Sequence, residues 1–122
     1  MARILLVEDN EMNRDMLSRR LIRSGYEVFL AVDGQQGADM ALSEQPDLIL
    51  MDIQLPGIDG YEATRRIRKI PALAKVPIIA VTSYALSGDE AKTREAGCDG
   101  YVAKPYSPRQ LLAKIREFLP LE

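Results

Sequence analysis

A chain of 122 residues, 47% hydrophobic and 28% charged, fits one domain with a single core, and that balance is globular rather than disordered or fibrous. Its 16 Lys and Arg against 18 Asp and Glu leave a net charge of −2, without the basic footprint of a nucleic-acid binder, and no apolar stretch approaches the roughly 18 residues of a membrane span. There is no histidine, which rules out an imidazole base, nucleophile or metal ligand within the chain, and the one cysteine, Cys98, cannot form an internal disulfide. A lone cysteine suits a reducing cytoplasm, and no basic, apolar leader follows Met1, so no secretory signal is expected.

Arg3 to Val7 (RILLV) is a short apolar run and the first expected strand. Glu11 to Ser24 follows as a helix with Met12, Met16, Leu17 and Leu21 on a core-facing stripe, and Gly25 stands where a helix ends. Tyr26 to Ala31 reads as the second strand, and Gly34 to Glu44 as a helix with Ala38, Ala41 and Leu42 on one face. In "PDLILMDIQLPGIDG", Pro46 to Gly60, the unbroken apolar run Leu48 to Met51 describes a strand buried on both faces, as in a parallel sheet covered by helices. It ends on Asp52, where buried sheet meets solvent, and Gly57 and Gly60 supply turn chemistry. Asp59 and Glu62 frame a third helix with Ile67 and Ile70 inward and Arg65, Arg66, Arg68 and Lys69 on a solvated face. Val76 to Val81 (VPIIAV) is the fourth strand. Ser87 and Glu90 match a capping box opening a helix to about Ala96, with Gly97 after it. Asp99 to Ala103 is the last strand, and Ser107 with Pro108 opens a final amphipathic helix carrying Leu111, Leu112, Ile115 and Leu119. Cys98 reads as a small buried residue rather than a redox sensor.

Five strand–helix alternations with short connections predict an α/β fold, a doubly wound five-stranded parallel sheet with helices on both faces and right-handed crossovers. Parallel strands end on one edge, and such folds place their sites outside it. Glu8 and Asp9 follow the first strand there, Asp52 ends the third, Thr82 follows the fourth, and Lys104-Pro105 follows the fifth. Three carboxylates on one edge repel and need a positive partner. A hard divalent cation accepts oxygen ligands, and with Mg²⁺ and Lys104 the formal charges cancel. Such a cluster can accept a phosphoryl group, with Asp52 as nucleophile, Thr82 hydroxyl donating to an oxygen, and the lysine offsetting charge.

"LLVEDN" (Leu5 to Asn10), "LILMDIQLPGIDG" (Leu48 to Gly60), "IIAVTSYA" (Ile78 to Ala85) and "YVAKPYS" (Tyr101 to Ser107), each at a strand end, make the sequence resemble a response-regulator receiver domain of two-component signalling over residues 1–122. The resemblance implies the flavodoxin-like strand order 2-1-3-4-5. It implies Asp52 as phospho-acceptor, taking the phosphoryl group from a histidine kinase or histidine phosphotransfer protein whose imidazole lies on the partner. Glu8, Asp9, Asp52 and the backbone carbonyl of Gln54 match the ligands of Mg²⁺ (or Mn²⁺). Lys104 matches the phosphoryl-contacting lysine, Pro105 the commonly cis proline, and Thr82 and Tyr101 the switch pair. Gln54 and Tyr84 lie where the family tunes phosphoryl lifetime. The acidic pair is Glu-Asp rather than Asp-Asp, which bears on how directly Glu8 reaches the ion.

The wording of these motifs resembles single-domain chemotaxis and DivK-like cell-cycle regulators and the receivers of hybrid sensor kinases. The expectation is a cytoplasmic signalling switch rather than an enzyme, binding a kinase or phosphotransfer protein and a downstream target protein, but no nucleic acid and no membrane. With Glu122 just after the last helix, no output domain is expected, which suits a stand-alone regulator or phosphorelay intermediate. The fourth helix has only Ala91 and Ala96 as apolar anchors and is poised to move, so its face with the last strand and last helix is expected to carry the output. Alternatives are a receiver module excised from a hybrid kinase and a phosphorylation-independent pseudo-receiver. A haloacid-dehalogenase-like phosphatase expects a second Asp where Gln54 stands, and a flavin binder expects a phosphate loop after Val7 that is missing.

Overall fold

Among the residues that the computed structural model describes, 1–83 and 89–119, five strands alternate with five helices. The strands are β1 (Arg3–Val7), β2 (Glu27–Ala31), β3 (Leu48–Asp52), β4 (Ile78–Thr82) and β5 (Gly100–Ala103). The helices are α1 (Glu11–Arg23), α2 (Gly34–Glu44), α3 (Gly60–Arg68), α4 (Asp89–Ala96) and α5 (Pro108–Phe118), with a short 3-10 turn at Pro71–Leu73. All four strand pairings are parallel and the order is β2-β1-β3-β4-β5, the doubly wound, flavodoxin-like arrangement.

The period of two along a strand splits the apolar runs between two cores. Leu5, Val7, Ile49, Met51, Ile78 and Ala80 face α2 and α3 through Ala38, Ala41, Ala63 and Ile67. Ile4, Leu6, Leu48, Leu50, Ile79 and Val102 face α1 and α5 through Leu17, Leu21, Leu111 and Ile115. Burial on both sides is why β3 carries four consecutive large apolar residues, each fully buried and each contributing about 1.5–3 kcal/mol of transfer free energy. Cys98 is buried in the first core, and burial pushes its thiol up to about 11, so it stays a thiol at neutral pH.

Local signals set the helix ends. Asn10, Asp33, Asp59 and Ser107 each accept a hydrogen bond from the backbone N–H three residues on, and Ser107 forms a full capping box with Gln110. Gly25, at φ 99°, ends α1 in the left-handed region. Gly60 serves contact rather than a turn: a Cβ there would run into the carbonyl oxygen of Asp52 and the Cα of Ile53, so its absence lets α3 start against the end of β3.

Several expectations need correction. Met12 and Met16 are 72% and 60% exposed. At 3.6 residues per turn the Met12–Met16 pair is centred about 140° around α1 from the Leu17–Leu21 pair, so the four do not share one stripe. Met16 instead lines a groove of about 610 Å³ between α1 and α5. Leu42 is 50% exposed, because the face of α2 that meets the sheet is Gly34, Gly37, Ala38 and Ala41. Arg68 is not a solvated charge: its side chain is 17% exposed and its guanidinium donates to Gly97 O, Leu73 O, Ala74 O and Asp99 Oδ2. In α4 Ala91 is exposed, and among its described side chains Thr93 and Ala96 are the buried ones. Tyr26, Val76 and Asp99 fall just outside the strands assigned to them. Ser87 of the expected capping box lies outside the described residues.

Candidate functional site

Parallel register brings the strand ends to one edge, and β1, β3, β4 and β5 each deliver a polar side chain there. Glu8 follows β1, and its N–H still donates to Ala31 O at 3.0 Å, so the ladder holds its backbone beyond Val7. Asp52 is the last residue of β3, paired with Val81 of β4. Lys104 follows β5, and its N–H donates to Thr82 O at 2.7 Å, tying the ends of β4 and β5 together. The Lys104–Pro105 peptide bond is cis.

The carboxylates of Glu8, Asp9 and Asp52 converge: one oxygen of each lies within 4.8 Å of the others. Asp9 is exposed, whereas Glu8 and Asp52 are each 4% exposed, so the cluster is open on one side and dry on the other. Lys104 Nζ sits 3.4 Å from Asp52 Oδ2 and 4.0 Å from Glu8 Oε1. One ammonium against three carboxylates leaves the pocket short of positive charge. Glu8 registers the deficit. Burial, then its hydrogen bond and charge contact with Asp52, push its carboxyl up from the ordinary 4.5 to about 7, against the lowering pull of the Asn10 N–H and Lys104.

Gln54 spans the site. Its N–H donates to Asp52 Oδ1 at 3.1 Å, its Nε2 to Thr82 Oγ1 at 2.9 Å, and its Oε1 accepts the Ser83 N–H at 3.1 Å. Thr82 is fully buried beneath that amide. Tyr101, in β5, is half-buried, one register step from Val102, which faces Val81. Tyr84 lies outside the described residues.

Four residues contribute that reading the sequence did not single out. Asn10 caps α1 and donates its N–H to Glu8 Oε2 at 3.2 Å, a double duty signalled by an Asn placed just before a helical run. Arg14 Nη1 donates to the carbonyls of Glu8 and Asp9 at 2.9 and 3.3 Å, holding the acidic loop's backbone. Ser83 offers its N–H to Gln54. Tyr106 is close enough to Glu8 and Asp52 that their charges, after burial, raise its hydroxyl to about 12. Nothing local in the sequence marks Arg14, Ser83 or Tyr106.

The donor set is oxygen only, with no nitrogen or sulfur ligand, which suits a hard divalent cation such as Mg²⁺ or Mn²⁺. The raised Glu8 carboxyl fits the same reading, since a pocket that cannot hold all its charges ionised is one that a cation would relieve.

The sequence pattern of the response regulator receiver domain family matches residues 4–116. The polar-differentiation response regulator DivK of Brucella anthropi is 40% identical over 116 residues, covering 95% of this chain and 94% of that protein. The receiver domain of sensor histidine kinase PA1611 from Pseudomonas aeruginosa, solved with a magnesium ion coordinated in its active-site cleft, superposes with a TM-score of 0.90 at 41% identity, covering 98% of both chains. The chemotaxis protein CheY4 of Vibrio cholerae superposes at 0.92 with 29% identity, covering 97% of this chain and 98% of that one.

Proposed function

The chain belongs to the response regulator receiver domain family of two-component signalling, and from that membership we propose that it is a phosphorylation-dependent switch with Asp52 as the acceptor. The observation that carries this reading is the convergence of Glu8, Asp9 and Asp52 within 4.8 Å beside the Lys104 ammonium. An Asp52 oxygen bonds to phosphorus while the N–P bond of a partner's phosphohistidine breaks and its electron pair returns to the imidazole. Lys104 faces Asp52 Oδ2 and offsets charge gathering on the phosphoryl oxygens. Glu8, Asp9, Asp52 and the Gln54 carbonyl would hold Mg²⁺ or Mn²⁺, which when bound neutralises the carboxylates and the incoming phosphoryl oxygens.

Phosphorylation then favours one of two conformations by contacts available only there. Thr82 and Tyr101 are the switch pair in this reading, and the face of α4, β5 and α5 carries the output to a downstream protein. The thin anchorage of α4 on Thr93 and Ala96 supports that choice. A cytoplasmic location and a histidine kinase or phosphotransfer protein as donor complete the reading. The likeness to DivK favours a stand-alone regulator or phosphorelay intermediate. The 41% identity to the PA1611 receiver favours a second reading, a receiver module of a hybrid kinase.

Incubation with acetyl phosphate and Mg²⁺, followed by intact mass, tests the acceptor role. A roughly 80 Da adduct is expected for one phosphoryl group replacing a proton. No adduct, in a protein that also fails to bind beryllofluoride, removes the reading.

The Glu8 carboxyl gives a pH test. Unfolded it ionises near 4.5 and folded near 7, so between those values the native state holds a proton that the unfolded chain has lost. Its contribution to stability without metal is full below about pH 4.5 and is lost as pH rises to about 7. Saturating Mg²⁺ is therefore expected to raise Tm more at pH 8 than at pH 6, where the ion must displace the proton. Equal increments at both pH values would show that Glu8 releases none.

A further inference from the structure

The side-chain amide of Gln54 occupies a specific place. At the end of β4, Thr82 offers a hydroxyl and Ser83 an N–H, one and two residues past the register partner of Asp52. Gln54 engages both at once, 2.9 Å from Thr82 Oγ1 and 3.1 Å from the Ser83 nitrogen. The orientation of this amide follows from chemistry. A backbone N–H can only donate, so the atom facing Ser83 is the carbonyl Oε1, and the NH₂ faces Thr82, whose oxygen accepts. In this arrangement Gln54 Oε1 holds the Ser83 N–H in the way an acceptor oxygen of another group would.

A phosphoryl group on Asp52 brings oxygens that only accept. Among the described residues, the donors at this edge include the Lys104 ammonium, the Thr82 hydroxyl and the Ser83 N–H. Gln54 Oε1 already holds the Ser83 N–H, its Nε2 donates to the Thr82 oxygen and so tethers that side chain, and its own backbone N–H is fastened to Asp52 Oδ1. We propose that the Gln54 side-chain amide is a latch that competes with the phosphoryl group for the Ser83 N–H and tethers the Thr82 hydroxyl through its oxygen, holding the end of β4 in its resting arrangement until it is displaced. This deepens the reading of Asp52 as phospho-acceptor and rests on it.

The latch is a positioning device, because it acts through Thr82 and Ser83. Its removal leaves the backbone carbonyl of residue 54 in place and changes what the Ser83 N–H and the Thr82 oxygen bond to in the resting state. Exchanging one set of hydrogen bonds for another is worth a modest net amount per bond, so the expected effect is a population shift, not a loss of function.

The test is a beryllofluoride titration in saturating Mg²⁺ on wild type, Gln54→Met and Gln54→Ala, with amide hydrogen exchange at Ser83. Gln54→Met keeps the bulk and loses both hydrogen bonds. It is expected to bind beryllofluoride roughly three- to tenfold more tightly than wild type, with the lost Ser83 protection restored by the ligand. Gln54→Ala is expected to match it. If only Gln54→Ala gains affinity, the side chain is a steric shield and the latch is overturned; unchanged affinity in both overturns it too. A wild type that takes up no beryllofluoride overturns the acceptor reading along with it, which separates the two failures.

Discussion

Asp52→Asn is expected to abolish the phosphoryl adduct and, without metal at pH 8, to melt higher than the wild type. The first outcome follows from replacing the attacking carboxylate by an amide. The second follows from the pocket's electrostatics. Asp52 is 4% exposed, and both its hydrogen bond and its charge raise the Glu8 carboxyl. Removing that charge lets Glu8 ionise closer to its ordinary range while Lys104, 4.0 Å from Glu8 Oε1, stays as its counter-charge. Each unit by which the Glu8 pKa falls returns about 1.36 kcal/mol to the folded protein at a pH where Glu8 is ionised. A gain on the order of 1 kcal/mol, or roughly 4 °C in Tm for a chain of this size, is therefore expected. The stabilising response to Mg²⁺ should shrink in the same variant. Calorimetry at pH 8 with EDTA and with Mg²⁺ checks both; an unchanged or lowered Tm in EDTA would show that the carboxylates do not strain the metal-free fold.

Arg68→Ala is expected to cost about 2–4 kcal/mol, although the residue sits in a run of basic residues that otherwise matter little. Its guanidinium reaches Gly97 O at 2.8 Å, Leu73 O at 3.0 Å and Asp99 Oδ2 at 2.6 Å. Asp99 Oδ2 also accepts the Ile78 N–H at 2.9 Å, so one guanidinium joins the end of α3, the turn before β4, the start of β4 and the loop after α4. Gly97 makes room: at φ 111° it has no Cβ to collide with the Arg68 side chain lying over it. Arg68→Lys keeps the charge but replaces a planar fork by a point donor, so it should recover less than half of the loss. Arg65 and Arg66 pair with Glu62 on the same exposed helix face, Arg66 also donating to the exposed Gln35 Oε1 at 2.8 Å, and their removal should cost about 0–1 kcal/mol each. Urea unfolding of the four variants decides the matter. An Arg68→Ala midpoint within error of the Arg65→Ala midpoint would mean that the clamp contributes no more than a surface pair.

Particular elements show how far local pattern reaches. The unbroken run of Leu48 to Met51 announced a strand covered on both sides, and each of those residues is fully buried. Asp59 and Ser107 announced helix starts, and each caps its helix with its side chain. The helical stripe of α1 was misjudged because four apolar residues within ten suggest one face, whereas Met12 and Met16 lie on a different side from Leu17 and Leu21. Arg68 departs from its expected solvated face for a complementary reason. Its partners stand up to 31 residues away in the chain, and no local pattern separates it from Arg65, Arg66 or Lys69.

Strand ends could be listed from the sequence, and once the strands are parallel their side chains must share an edge. That much followed from hydrophobic period and chain direction, and it brought Glu8, Asp9, Asp52, Thr82 and Lys104 to one place. What only the folded chain decided is how those groups are occupied: the Gln54 amide on Thr82 and Ser83, the Arg14 guanidinium on the acidic loop, and the raised Glu8 carboxyl. The physical reason is range. Apolar periodicity and capping act over a few residues, whereas burial and most of these hydrogen-bond partners are set by elements that the sheet joins across the chain, such as Gln54 and Thr82, 28 residues apart; the Arg14 contact is near in sequence but has no local signature.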